Sequence, residues 1–198
     1  MKIVYIHGAN ATGDSFNYIR THITGYEEAV FEYDSRDGFY HNLEKMQKKM
    51  RRLRDVFFVC HSLGGVYALH LANDFPNKIL GAITMSTPYG GAEVADYAKY
   101  FLPFSRLLRD IGPNSKPVTT ANKIKLQHPW LQIVTTRGSS PWMVEPNDGV
   151  VTLRSMRHRT DMAQKDIAAN HYEIVINDEC VKIIRQTLEN IKKGRLIC

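Results

Sequence analysis

The sequence has no apolar run near the 18 residues that a membrane-spanning helix needs. It has no internal repeat and no low-complexity tract, which excludes solenoid and fibrous architectures. With 8 Pro and 13 Gly in 198 residues, it is too poor in both for a disordered or collagen-like chain. Cysteine is scarce. Cys60, Cys180 and Cys198 are an odd number without a disulfide-framework spacing, so free thiols in a reducing compartment are expected. The opening Met1–Gly8 is too short for a secretory leader and no small-residue cleavage site follows it, so a cytoplasmic location is expected. No zinc-finger, RNA-binding or helix-turn-helix signature is present, and no ligand cluster points to a metal. Neither nucleic acid nor a metal or other cofactor is therefore expected.

What is present is an ordinary globular composition, 43% apolar, in a chain of the length of one domain. The net charge of +6 comes from 26 Lys and Arg against 20 Asp and Glu. Much of it falls on Lys45, Lys48, Lys49, Arg51, Arg52 and Arg54. Leu43, Met46, Met50 and Leu53 share that stretch at helical spacing, so an amphipathic helix with a solvated basic back is expected. A weak contact with an anionic membrane surface is the other reading.

Strand-like and helical runs alternate. Strands are expected at Lys2–Ile6, Ala29–Tyr33, Val56–Cys60, Ile79–Met85, Leu131–Thr136 and, briefly, Asp166–Ala169. Helices are expected at Asp37–Arg54, Leu63–Phe75 and Asp178–Lys192, the last with Val181, Ile184, Leu188 and Ile191 on one face. The alternation predicts an α/β fold, a mostly parallel sheet with helices on both faces. Such a sheet carries its site at the C-terminal ends of its strands.

Chemically suggestive residues fall at those ends. Cys60-His61-Ser62-Leu63-Gly64-Gly65 joins a strand to a helix, the context of a nucleophile elbow, whose usual pattern is G-x-S-x-G. Cys60 stands where the first Gly is usual. Ser62 acting only as a helix cap is the alternative. His7-Gly8-Ala9-Asn10 follows the first strand, and an oxyanion needs two backbone N–H groups. Ala9 and Leu63 are the candidates, with Asn10 as a substitute for Ala9. His7 reads as structural. Asn147-Asp148-Gly149 offers a carboxylate on a loop, or a simple turn. Asn170-His171 offers a loop histidine after the last strand, and completes the chain order Ser, Asp, His. His61 is expected to point away from the reaction.

Taken with Ser86-Thr87-Pro88-Tyr89-Gly90-Gly91, these segments resemble the α/β-hydrolase lipases, above all bacterial triacylglycerol lipases and the GPI-inositol-deacylase-like esterases. The resemblance spans nearly the whole chain. It implies a minimal α/β-hydrolase fold of about six strands, without the extra N-terminal strands of larger members. It implies a catalytic triad of Ser62, Asp148 and His171, an acyl-enzyme, and a small-molecule or lipid ester as substrate. It also favours reading residues 88–129 as a small helical lid carrying Tyr97, Tyr100, Phe101, Leu102, Phe104, Leu107, Leu108 and Ile111. A packed helix pair is the other reading of that insertion. A thioesterase or amidase, or a binding module that kept the fold, are the functional alternatives.

Overall fold

The computed structural model describes residues 1–92, 106–140 and 143–194, with side chains except at 106–108. Six strands form one sheet among the described residues: β1 (Lys2–Ile6), β2 (Glu27–Val30), β3 (Val56–His61), β4 (Ile79–Met85), β5 (Trp130–Thr135) and β6 (Ala163–Ile167). Their order is β2-β1-β3-β4-β5-β6, and every neighbouring pair is parallel. The described helices are α1 (Asn17–His22), α2 (Phe39–Met50), α3 (Leu63–Asp74), α4 (Arg106–Ile111), α5 (Lys116–Ala121), α6 (Leu153–Met156) and α7 (Asp178–Lys192).

Strand alternation creates two cores. Val4, Ile6, Phe58 and Cys60 face α2 and α3, where they meet Leu43, Met46, Val66 and Leu69. Ile3, Tyr5, Phe57 and Val59 face the other way, onto Ile19 of α1 and Val181, Ile184 and Leu188 of α7. The central strand β3 is buried at all six positions, which explains its continuous apolar run.

The two edge strands depart from expectation. Pairing of β2 with β1 runs from Glu27 to Val30 rather than over 29–33, and β6 occupies Ala163–Ile167 rather than 166–169. Both are edge strands rich in exposed polar residues, so their periodicity carries no apolar signal. The helix expected over 37–54 is shorter. A turn over Ser35–Asp37 and Gly38, at φ 89°, precede it, and the chain leaves it after Met50. Within 88–129 the described residues contain α4 and α5. Tyr97, Tyr100, Phe101, Leu102 and Phe104 lie outside the described residues, as do the side chains of Leu107 and Leu108.

The order reverses at β1, which has β2 on one side and β3 on the other, so a crevice opens between the C-terminal ends of β1 and β3. The register Ile6↔Cys60 ends these two strands in step, which sets Gly8 beside Ser62. Gly64 makes the approach possible. A Cβ there would lie 2.1 Å from the Ile6 carbonyl oxygen and 2.8 Å from that of His7. The obstacle is backbone, which cannot rotate away. Gly64→Ala should therefore cost at least about 2 kcal/mol by forcing α3 off β1. Urea denaturation checks this, and a variant within about 0.5 kcal/mol of wild type contradicts the close approach.

Candidate active site

Ser62 lies between β3 and α3 at φ 51° and ψ −125°, a left-handed conformation that a non-glycine residue holds only when its surroundings impose it. Its N–H donates to the Met85 carbonyl at 2.8 Å, and its carbonyl accepts from Gly65 N–H at 3.0 Å. Although Ser62 precedes the helix, its side chain makes no cap hydrogen bond. Its Oγ instead lies 3.1 Å from Nε2 of His171.

The opposite nitrogen of His171, Nδ1, lies 2.8 Å from Oδ2 of Asp148. An ionised carboxylate only accepts, so Nδ1 carries the proton and Nε2 of the neutral ring is free to accept from Ser62. The loops after β5 and β6 thus bring Asp148 and His171 to the residue that ends β3. The His171 N–H also donates to the Asp148 carbonyl at 3.0 Å, which ties the two loops together through the backbone.

Asp148 is 1% exposed and well supplied with donors. Oδ1 accepts from the N–H groups of Val150 at 3.0 Å and Val151 at 2.8 Å, and Gly149 N–H donates to the Asn147 side chain at 2.8 Å. The segment is therefore a turn as well as a carboxylate carrier. Oδ2 accepts from Thr135 Oγ1 at 2.6 Å, and Thr135 in turn accepts from Ser86 Oγ at 2.9 Å. Burial works to raise the carboxyl pKa. The hydrogen bond and charge of His171, the Thr135 hydroxyl and the Val151 amide outweigh it, and Asp148 titrates below the ordinary value. Thr135 and Ser86 were not legible as site residues. The available signal is a hydroxyl side chain ending, or just following, a strand that is mostly apolar.

The loop after β1 meets the same point. His7 is fully buried and stacked on Tyr33, ring centroids 4.3 Å apart. Its Nδ1 donates to the Gly8 carbonyl at 2.8 Å, and its Nε2 lies 3.3 Å from the Tyr33 amide nitrogen and 3.1 Å from the Glu32 carboxylate. The first bond fixes the Gly8–Ala9 peptide plane. Asn10 N–H is taken by Ser35 Oγ at 3.0 Å. Among the described residues, the N–H groups of Ala9 and Leu63 have no hydrogen-bond partner.

Ala9, Ser62, Leu63 and His171 line one cavity of about 420 Å³ with Ala11, Pro88, Ala92, Ile111, Val151 and Val175. Among its described lining residues there is no Asp, Glu, Lys or Arg. Cys60 does not reach it. The thiol is buried in the core, and burial pushes its pKa well above the usual thiol value, the condition of an inert side chain. Among the described residues no group of His, Cys, Asp and Glu is arranged to hold a metal.

The fold is that of the α/β hydrolases. The chain superposes on the lipase BlEst2 of Bacillus licheniformis, in its mature form, with a TM-score of 0.76 at 15% identity, over 96% of this chain and 91% of that one. On the metagenomic carboxyl esterase MGS0156 the TM-score is 0.76 at 13% identity, over 98% and 76%. On the phospholipase PlaB of Legionella pneumophila it is 0.70 at 13% identity, over 98% and 63%. At such identities the likeness establishes the fold. No protein-family model and no curated protein sequence matches the chain.

The lowered pKa of Asp148 has a consequence for stability. The folded state binds this proton less readily than the unfolded chain, whose value is about 3.9. The stabilisation is complete above that value and is lost as pH falls through the folded pKa. In urea denaturation from about pH 6 to about pH 2, the advantage of wild type over Asp148→Asn should narrow below about pH 4. An advantage that stays constant or widens on acidification contradicts the assignment.

Proposed function

We propose that the chain is a serine hydrolase that cleaves neutral carboxylic esters with apolar acyl groups. The observation that carries this reading is the pair of contacts made by one ring. His171 is 3.1 Å from Ser62 Oγ and 2.8 Å from Asp148, beside an apolar cavity. The solved structures it is similar to include a lipase, a carboxyl esterase and a phospholipase, which supports the same class.

In this mechanism His171 Nε2 takes the hydroxyl proton of Ser62 as Oγ attacks the ester carbonyl. Asp148 holds the ring in the Nδ1–H tautomer and stabilises the imidazolium that forms. The oxyanion is received by the N–H groups of Ala9 and Leu63, which have no other hydrogen-bond partner among the described residues. Collapse breaks the ester C–O bond, and His171 returns the proton to the departing alcohol. Water, deprotonated by the same ring, then attacks the acyl-serine and releases the carboxylic acid. The lining of the cavity sets the acyl preference. Among the described residues it offers no Lys or Arg, so a carboxylate on the acyl chain would be desolvated without compensation from them. Residues 88–129 act as a lid, since Pro88, Ala92 and Ile111 from its described parts border the cavity.

A fluorophosphonate probe should label Ser62 stoichiometrically, and Ser62→Ala should lower kcat on p-nitrophenyl butyrate by about 10⁴-fold or more while the fold is retained. Hydrolysis of the matching hemisuccinate, similar in length but charged, should be at least about 100-fold slower in kcat/KM. A folded Ser62→Ala protein that keeps more than a few per cent of activity removes the serine mechanism. Equal turnover of the two esters removes the acyl assignment.

A further inference from the structure

His61 immediately precedes Ser62, yet the mechanism above does not use it. Its ring is 5% exposed, and its Nε2 lies 2.8 Å from the carbonyl oxygen of His171. A carbonyl only accepts, so Nε2 carries the proton and the ring donates. Its Nδ1 is buried, has no hydrogen-bond partner among the described residues and lies against Gly8, where a Cβ would come within 3.0 Å of it. The two histidine rings are 4.8 Å apart, inclined at 52°. Burial first, then the neighbouring His171, pushes the His61 pKa down to about 3, so the ring is neutral at physiological pH.

We infer that His61 is a positioning residue: it clips the backbone of His171 to the residue beside Ser62 and so sets the distance between base and nucleophile. The inference rests on the Ser62–His171 reading given above. Its physical basis is the strand order. Ser62 follows β3, His171 follows β6, and β4 and β5 lie between them. No ladder hydrogen bond couples those two strands directly, so without His61 the alignment would rest on the short loop after Ile167 and its bonds to the Asp148 loop. The His61 bond crosses that gap in one step. His171 is then held at both backbone poles, its N–H by the Asp148 carbonyl and its carbonyl by His61. With the backbone fixed at both poles, the ring is left with its two side-chain hydrogen bonds. A packing role alone would be met at lower cost by an aliphatic side chain, which leaves no orphaned nitrogen in the core.

The test compares His61→Gln with His61→Met. The Gln amide nitrogen sits as many bonds from Cα as Nε2 and can donate to the same carbonyl, while Met has similar length and volume and no donor. His61→Met should lower kcat about 10- to 100-fold with KM within about two-fold, because a base displaced by a fraction of an ångström loses alignment more than binding. His61→Gln should stay within about five-fold of wild type in kcat. The low-field proton resonance of His171 Nδ1–H, read without substrate, should persist in the Gln variant and broaden or vanish in the Met variant. His61→Leu replaces the Met variant should that one not fold. Equal losses in the donor and non-donor variants, or full kcat and an unchanged resonance in the Met variant, overturn the inference. Ser62→Ala run alongside separates the two levels. If it is inert while His61→Met is fully active, only the positioning role falls. If it turns over, both readings fall.

Discussion

The approach of α3 to the end of β1 is the constraint on which the site depends. A nucleophile must stand clear of the sheet, and the chain must therefore reverse from strand to helix within one residue. The reversal puts Ser62 at φ 51°, and it draws the first turn of the helix against the carbonyls of Ile6 and His7. Only a residue without Cβ fits at Gly64. Close approach also brings the loop after β1 alongside the nucleophile, so the sterics that strain Ser62 supply the wall on which Ala9 sits. Strain at the serine and placement of the proposed oxyanion donors are one arrangement seen from two sides.

The strained turn would relax if the groups around it were loose. They are held by a directional chain. Ser86 donates to Thr135, Thr135 to Asp148, His171 to Asp148, and Ser62 to His171. The first three directions are forced by the carboxylate, which can only accept. A buried carboxylate costs stability unless fully bonded. Here four donors reach its two oxygens: two backbone amides, a hydroxyl and an imidazole. Ionised Asp148 is therefore the cheaper state of the folded protein, and it orients His171 with its Nδ1–H toward the carboxylate and its Nε2 toward Ser62.

Much of this was legible in the sequence, and the failures have physical causes. The central strands were readable because burial on both faces leaves unbroken apolar runs such as Val56–Val59. The edge strands were not, since Glu27, Glu28, Lys165 and Asp166 face solvent and carry no period. Ser62 and Asp148 could be read because each follows a recognisable central strand, or a loop leading from one, and His171 because it completes the chain order Ser, Asp, His. His61 was read as pointing away from the reaction. Its ring instead lines the same cavity as Ser62 and His171, and it bonds the backbone of His171, a contact across 110 positions that no local pattern encodes. Thr135 and Ser86 escaped for the same reason, as their partners lie in loops whose paths depend on the whole sheet.

The basic stretch gains its meaning from topology. In a parallel sheet a crossover helix runs opposite to the strands, so the C-terminal end of α2 and residues 51–55 lie at the N-terminal edge. The bond from Lys2 N–H to the Asp55 carbonyl, 2.8 Å, fixes that position beside the start of β1. Lys78, just before β4, adds its ammonium there by capping the carbonyls of Met50, Arg51 and Leu53. Arg51, Arg52 and Arg54 are thus exposed at the edge opposite Ser62. Nearer the middle of α2, Lys45 and Lys48 are partly neutralised by Asp37 and Glu44. An anionic surface drawn to these exposed arginines would face the bottom of the sheet and leave the cavity pointing away from it. Electrostatic attraction through this cluster and delivery of ester into the site are therefore geometrically opposed. The charge is better read as the solvated back of an amphipathic helix whose inner face, Leu43, Met46 and Met50, belongs to the core.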